Sequence, residues 1–86
     1  MKYIADLIKY PKKYLVPLCN ALTSKGYLFV RSNRNLYTLL MVDSDSVKKI
    51  TILIQADEPY ADILIEQISS KEDKKYLEDI MLLSEN

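Results

Sequence analysis

A single glycine, Gly26, divides this chain between two hydrophobic periods, and that division limits what it can fold into. Before it, Leu15, Leu18, Cys19 and Leu22 recur at the spacing of one helix face. After it, from Tyr27 on, apolar residues recur every second position. Lys25 in a last helical turn followed by Gly26 is a helix stop, because glycine takes left-handed φ without steric cost. The pattern predicts a helix over 14–25, with Pro17 in the first turn, where its missing N–H had no partner anyway. Upstream, Ile4, Leu7 and Ile8 also fall at helical spacing, and Pro11 closes that segment. A short helix over 3–10 is expected.

The region after Gly26 reads as strands. Tyr27, Phe29 and Arg31 alternate with Leu28, Val30 and Ser32, placing Arg31 on the same sheet face as Tyr27 and Phe29. Asn33, Arg34 and Asn35 form a turn, and Leu36–Val42 resumes an extended run that is apolar on both faces, as a central strand is. A polar turn at 43–46 leads to a third strand over 48–55, with Ile50, Ile52 and Ile54 on one side. Three sequential antiparallel strands form the simplest sheet.

In the closing third, Asp57 can cap a helix whose first turn holds Glu58 and Pro59 and whose buried stripe is Ala61, Leu64, Ile65 and Ile68. A competing reading folds 61–66 back onto the third strand, since Ile63 and Ile65 alternate with polar neighbours. Ser69 and Glu72 suit a capping box, and Leu77, Ile80, Met81 and Leu83 supply the stripe of a last helix over 71–83. The expected fold class is α+β: two N-terminal helices, a three-stranded antiparallel meander, and one or two C-terminal helices packed on the sheet, in a single domain spanning 1–86.

Composition bears mainly on chemistry. No His, no Trp, one Gly and one Cys remove His-based acid–base catalysis, His-containing zinc sites, glycine-rich phosphate loops and intramolecular disulfides. Cys19 lies on the apolar helix stripe with no His to activate it and reads as core. The longest apolar runs, 39–42 and 50–54, are far short of the roughly 20 residues that cross a bilayer. Lys2, Asp6 and Lys9 interrupt the first apolar stretch, so no signal peptide is expected, and a lone cysteine suits the cytoplasm.

The formal net charge is zero, but residues 1–42 hold seven Lys and Arg against Asp6 alone, while residues 43–86 hold five Lys against eleven acids. The basic half also holds most of the aromatic residues. If that split survives folding, it gives a basic, Tyr-rich surface and an acidic one. Tyr10, Lys12, Lys13, Tyr14, Arg31, Arg34 and Tyr37 are the candidate partner-binding residues, since Tyr and Arg dominate interface hot spots. Asp62 and Glu66 are the candidates for an acidic face.

Three stretches resemble known families. Residues 21–41, a helix, Lys25-Gly26-Tyr27-Leu28, an Arg-bearing turn and a second strand, resemble the recognition helix and wing of winged-helix DNA-binding domains. The chain ahead of them offers only about 20 residues, with two prolines, for the rest of a helix-turn-helix. The order helix, three strands, helix resembles the double-stranded RNA-binding domain, but Asp57, Glu58 and Asp62 stand where that family's last helix begins with basic residues. Residues 39–47, four apolar residues followed by Asp43-Ser44-Asp45-Ser46-Val47, are similar to the nucleophile motif of haloacid-dehalogenase-like phosphatases. That resemblance implies magnesium held by Asp43 and Asp45 and a parallel sheet for which too little chain follows. A plain strand-to-strand turn is the reading adopted at 43–46.

The sequence therefore points to binding. The expectation is a small non-enzymatic protein, without cofactor or metal, that regulates or inhibits another macromolecule by occupying its surface; its size suits a phage or mobile-element product. The expected partner is another protein, with nucleic acid as the alternative and no membrane. An edge strand would also allow a homodimer through sheet pairing.

Overall fold

The computed structural model describes residues 3–69. Strand β1 (Tyr3–Pro11) leads through a 3₁₀ turn (Lys12–Tyr14) into helix α1 (Leu15–Ser24), followed by β2 (Leu28–Ser32), β3 (Leu36–Val42), β4 (Val47–Ile54) and β5 (Tyr60–Ile68). The five strands form one antiparallel sheet in the order β1-β5-β4-β3-β2. Among the described residues the fold is mostly β, five strands with one α-helix, which corrects the expected two N-terminal helices, three-stranded meander and helix starting at Asp57. The helix foreseen over 71–83 lies outside the described residues.

The helix expected over 3–10 is strand β1. Ile4, Leu7 and Ile8 satisfy helical spacing, but Tyr and Ile also favour strands, and the register places Ile8 opposite Ile63 and Tyr10 opposite Ala61. That pairing is long-range, so no local pattern announces it. Pro11 fits the strand end. The Lys12 N–H donates to the Pro59 carbonyl at 3.0 Å, a hydrogen-bonded position of the ladder, so at Pro11 the backbone faces away from β5 and its missing N–H costs nothing.

The helix expected to start at Asp57 also gives way to a strand. Residues 60–68 form β5, paired with β4 on one side and β1 on the other. Asp57, Glu58 and Pro59, read as a helix start, belong to the turn between β4 and β5, where the Glu58 N–H donates to the Gln55 carbonyl at 3.2 Å. Ala61 and Ile63 then face the core every second residue.

α1 realises the helix expected over 14–25, with Pro17 in its first turn. Its end is a Schellman motif: the Gly26 N–H donates to the Thr23 carbonyl and the Tyr27 N–H to the Leu22 carbonyl, both at 3.1 Å, with Gly26 at φ 106°. Leu15, Leu18, Cys19 and Leu22 pack on the sheet face built from Leu39, Ile50, Ile52, Ala61 and Ile63. The opposite face buries Leu40, Val47 and Ile68 in a second cluster, along with Thr38 and Lys49, which both have interaction partners.

One register detail overturns an expected alignment. Between Phe29 and Arg31, β2 advances two residues while β3 advances one, from Leu39 to Thr38. Phe29 stays on the helix side with Tyr27, and the bulge turns Arg31 to the opposite face, so the two do not share a face.

Candidate functional site

α1 does not cover its side of the sheet completely. Between it and β2 lies an open groove of about 430 Å³. Leu15, Val16 and Cys19 form its helix wall, Phe29 and Tyr37 its sheet wall, and Ile52 and Ile54 its floor. Val16 is off the helix's buried stripe and 72% exposed, and Phe29 is 46% exposed. Phe29 follows Tyr27 by alternation onto this side, where its ring meets Tyr37 edge-on with centroids 6.4 Å apart.

Two polar residues complete the lining, Asn20 and Lys12. The Lys12 ammonium donates to the Gln55 carbonyl at 2.7 Å and the Ala56 carbonyl at 3.3 Å, which ties the 3₁₀ turn to the β4–β5 turn and fixes one positive charge at the end of the groove. Burial raises the Cys19 thiol pKa, which keeps the group neutral and weakly nucleophilic. Such a lining can hold an apolar side chain beside an anion. Its lining residues include no carboxylate.

The remaining candidate residues are scattered. Tyr10 packs against the core. Lys13 and Tyr14 meet in a cation–π contact at 5.1 Å and line a second cleft with Pro11, Pro59 and Tyr60. Arg31 lies on the far face with a partner of its own, and Arg34 is exposed in the β2–β3 turn. Only Lys12 and Tyr37 of the seven share the groove. Sequence reasoning missed Val16 and Phe29. The available signal was an apolar residue off the helix stripe and the chain's one phenylalanine.

Asp62 and Glu66 share one face of β5, where each meets a β1 residue. Asp62 pairs with Lys9 at 3.6 Å, and Glu66 accepts the Tyr3 hydroxyl at 2.6 Å. The split of charge along the sequence is thus undone where β1, from the basic half, lies beside β5, from the acidic half. Asp43 and Asp45 occupy the β3–β4 turn. The Asp43 N–H donates to the Ser46 carbonyl at 2.9 Å, its carboxylate pairs with Lys48 at 3.7 Å, and the Ser44 hydroxyl donates to Asp45 at 3.4 Å. Among the described residues no three acidic or thiol groups converge as a metal site would require, and no helix is long and apolar enough to cross a membrane.

Comparison with protein-family models, curated proteins and solved structures finds no match.

Proposed function

We propose that this chain is a non-enzymatic protein-binding module, a regulator or inhibitor that acts by occupying a partner's surface, and that the groove between α1 and β2 is its contact. The observation that carries this reading is the pair Val16 and Phe29, two large apolar side chains exposed across the mouth of a groove whose floor is apolar. An exposed apolar patch with a concave centre suits an anchor residue of another protein. Lys12 at the end of the groove favours a partner with an acidic residue beside that anchor. A cytoplasmic setting belongs to the same proposal and rests on the lone cysteine.

The nucleic-acid alternative has less support. Lys9 is paired with Asp62, and Arg31 lies on the other side of the sheet from Lys12, so these three form no continuous basic track.

Selection from a random displayed-peptide library against the full chain tests the proposal. Enriched peptides should carry an aromatic or large aliphatic residue next to Asp or Glu, and Val16→Arg should abolish their binding. Peptides that bind Val16→Arg unchanged would remove the groove as the contact. Tight, strongly salt-dependent binding of a labelled oligonucleotide would favour the alternative.

A further inference from the structure

Among the described residues the sheet has two edges, β1 and β2, and they are built differently. β2 is five residues long and broken by a bulge, a device that discourages further pairing. β1 runs nine residues with unbroken register against β5, and Tyr3 through Lys9 are all exposed. Leu7 on one face is 70% exposed, and Ile4 and Ile8 on the other are 41% and 42% exposed. A long, regular edge strand with apolar residues exposed on both faces is a template for another strand.

The ladder tells which backbone groups are available. Lys12 and Pro59 occupy a hydrogen-bonded position, so counting back by twos, Tyr10, Ile8, Asp6 and Ile4 turn their N–H and C=O groups toward β5. Tyr3, Ala5, Leu7 and Lys9 turn theirs outward. A strand that pairs antiparallel with its own copy about a two-fold axis must match outward residues with outward residues, and the odd-numbered set meets that condition.

We infer that β1 pairs with β1 of a second copy of this chain, centred on Leu7 and forming one continuous ten-stranded sheet. Leu7 then lies opposite the partner's Leu7, and Ala5 opposite the partner's Lys9. This register spans Tyr3–Pro11, each outermost Tyr3–Pro11 pair giving one hydrogen bond because Pro11 has no N–H. It also complements charge: Ala5 lies beside Glu66 within its own chain and Lys9 beside Asp62. Across the joint each Lys9, already paired with its own Asp62 at 3.6 Å, faces a short alanine with Glu66 behind it, so no like charges meet and the row reads Glu66, Ala5, the partner's Lys9, the partner's Asp62. The surface is separate from the groove, so dimerisation and partner binding are independent.

Sedimentation velocity of the full chain over a range of micromolar concentrations should show a monomer–dimer equilibrium. Leu7→Lys, which sets like charges directly opposite each other at an exposed position, should weaken the dimer about tenfold or more while the circular dichroism spectrum stays unchanged. Ala5→Pro removes an outward N–H without breaking the β1–β5 ladder and should have the same effect. In a Cys19→Ser background, Leu7→Cys should oxidise to a disulfide-linked dimer, since the Cα separation of about 5.5 Å at such a position is within disulfide range. A chain that remains monomeric at about 100 µM, or a dimer indifferent to both edge substitutions, would overturn the proposal.

Discussion

The Tyr27 backbone N–H donates to the Leu22 carbonyl at 3.1 Å, and the two side chains belong to one apolar cluster. This bond and its neighbour require positive φ at Gly26, so the end of α1 and the start of β2 depend on one residue. Gly26→Ala should lower stability by about 1–2 kcal/mol, the cost of left-handed φ for a residue with a Cβ. Crowding adds little, because the new Cβ would meet only Met41 Sδ at 3.7 Å. Gly26→Asn should recover part of the loss. Urea titration of the three proteins measures this, and a Gly26→Ala variant as stable as the parent would contradict it.

Lys12 joins the 3₁₀ turn to the β4–β5 turn through its side chain, with one ammonium shared between two carbonyls. Lys12→Met keeps the aliphatic stem but removes the ammonium, leaving both carbonyls to water. The expected cost is about 1 kcal/mol, below the roughly 1.5–3 kcal/mol of a charged hydrogen bond because the contact is exposed. Amide exchange should rise in the segment that follows β4. Unchanged exchange there would show that backbone bonds alone hold the turn.

Tyr3 and Tyr27 contribute to the pH dependence of stability on the alkaline side. Both phenols titrate above the ordinary 10.0, Tyr3 chiefly because its hydroxyl donates to the Glu66 carboxylate and Tyr27 chiefly through burial, with the Asp43 charge adding to it. A raised folded pKa means the protonated phenol contributes stability that is whole below pH 10.0 and is lost as pH rises through the folded values. Tyr3→Phe should flatten part of that fall and leave stability at neutral pH less dependent on Glu66. Thermal melts across the alkaline range, paired with ultraviolet titration of the phenols, would expose a wrong assignment if Tyr3→Phe follows the parent curve throughout.

Cys19 offers a built-in reporter of the groove. Burial raises its pKa and limits access, so alkylation by iodoacetamide at neutral pH should run about tenfold or more slower than for an unstructured cysteine. Denaturant should restore the full rate. A peptide seated in the groove should slow the reaction further, and a rate equal to that of the unfolded chain would mean Cys19 is not shielded by α1.

The parts of this architecture visible in the sequence are those whose partners are close in the chain. The stripe through Leu22 and the stop at Gly26 define α1, and the turns at 33–35 and 43–46 join strands that pair with their immediate successors. β1 is not visible, because Ile8 gains its place from Ile63 and nothing local distinguishes that arrangement from an amphipathic helix. β5 is present only as the competing reading, since Ala61, Ile63 and Ile65 fit period two while Ala61, Leu64, Ile65 and Ile68 fit 3.6. The groove is hidden for a different reason. Strict alternation would stand Arg31 beside Phe29 on the groove side; a one-residue bulge removes it, and residue types alone do not locate that bulge.

The β1–β5 pairing also governs how this sheet is assembled. Tyr3 lies sixty-three positions before the Glu66 whose carboxylate it contacts. On a translating ribosome β1 emerges well before β5 exists, and its docking must await almost the whole sheet. Such non-local closure is slow, and the waiting strand is adhesive. Refolding at high protein concentration should therefore be most vulnerable at this strand, before the native molecule has formed.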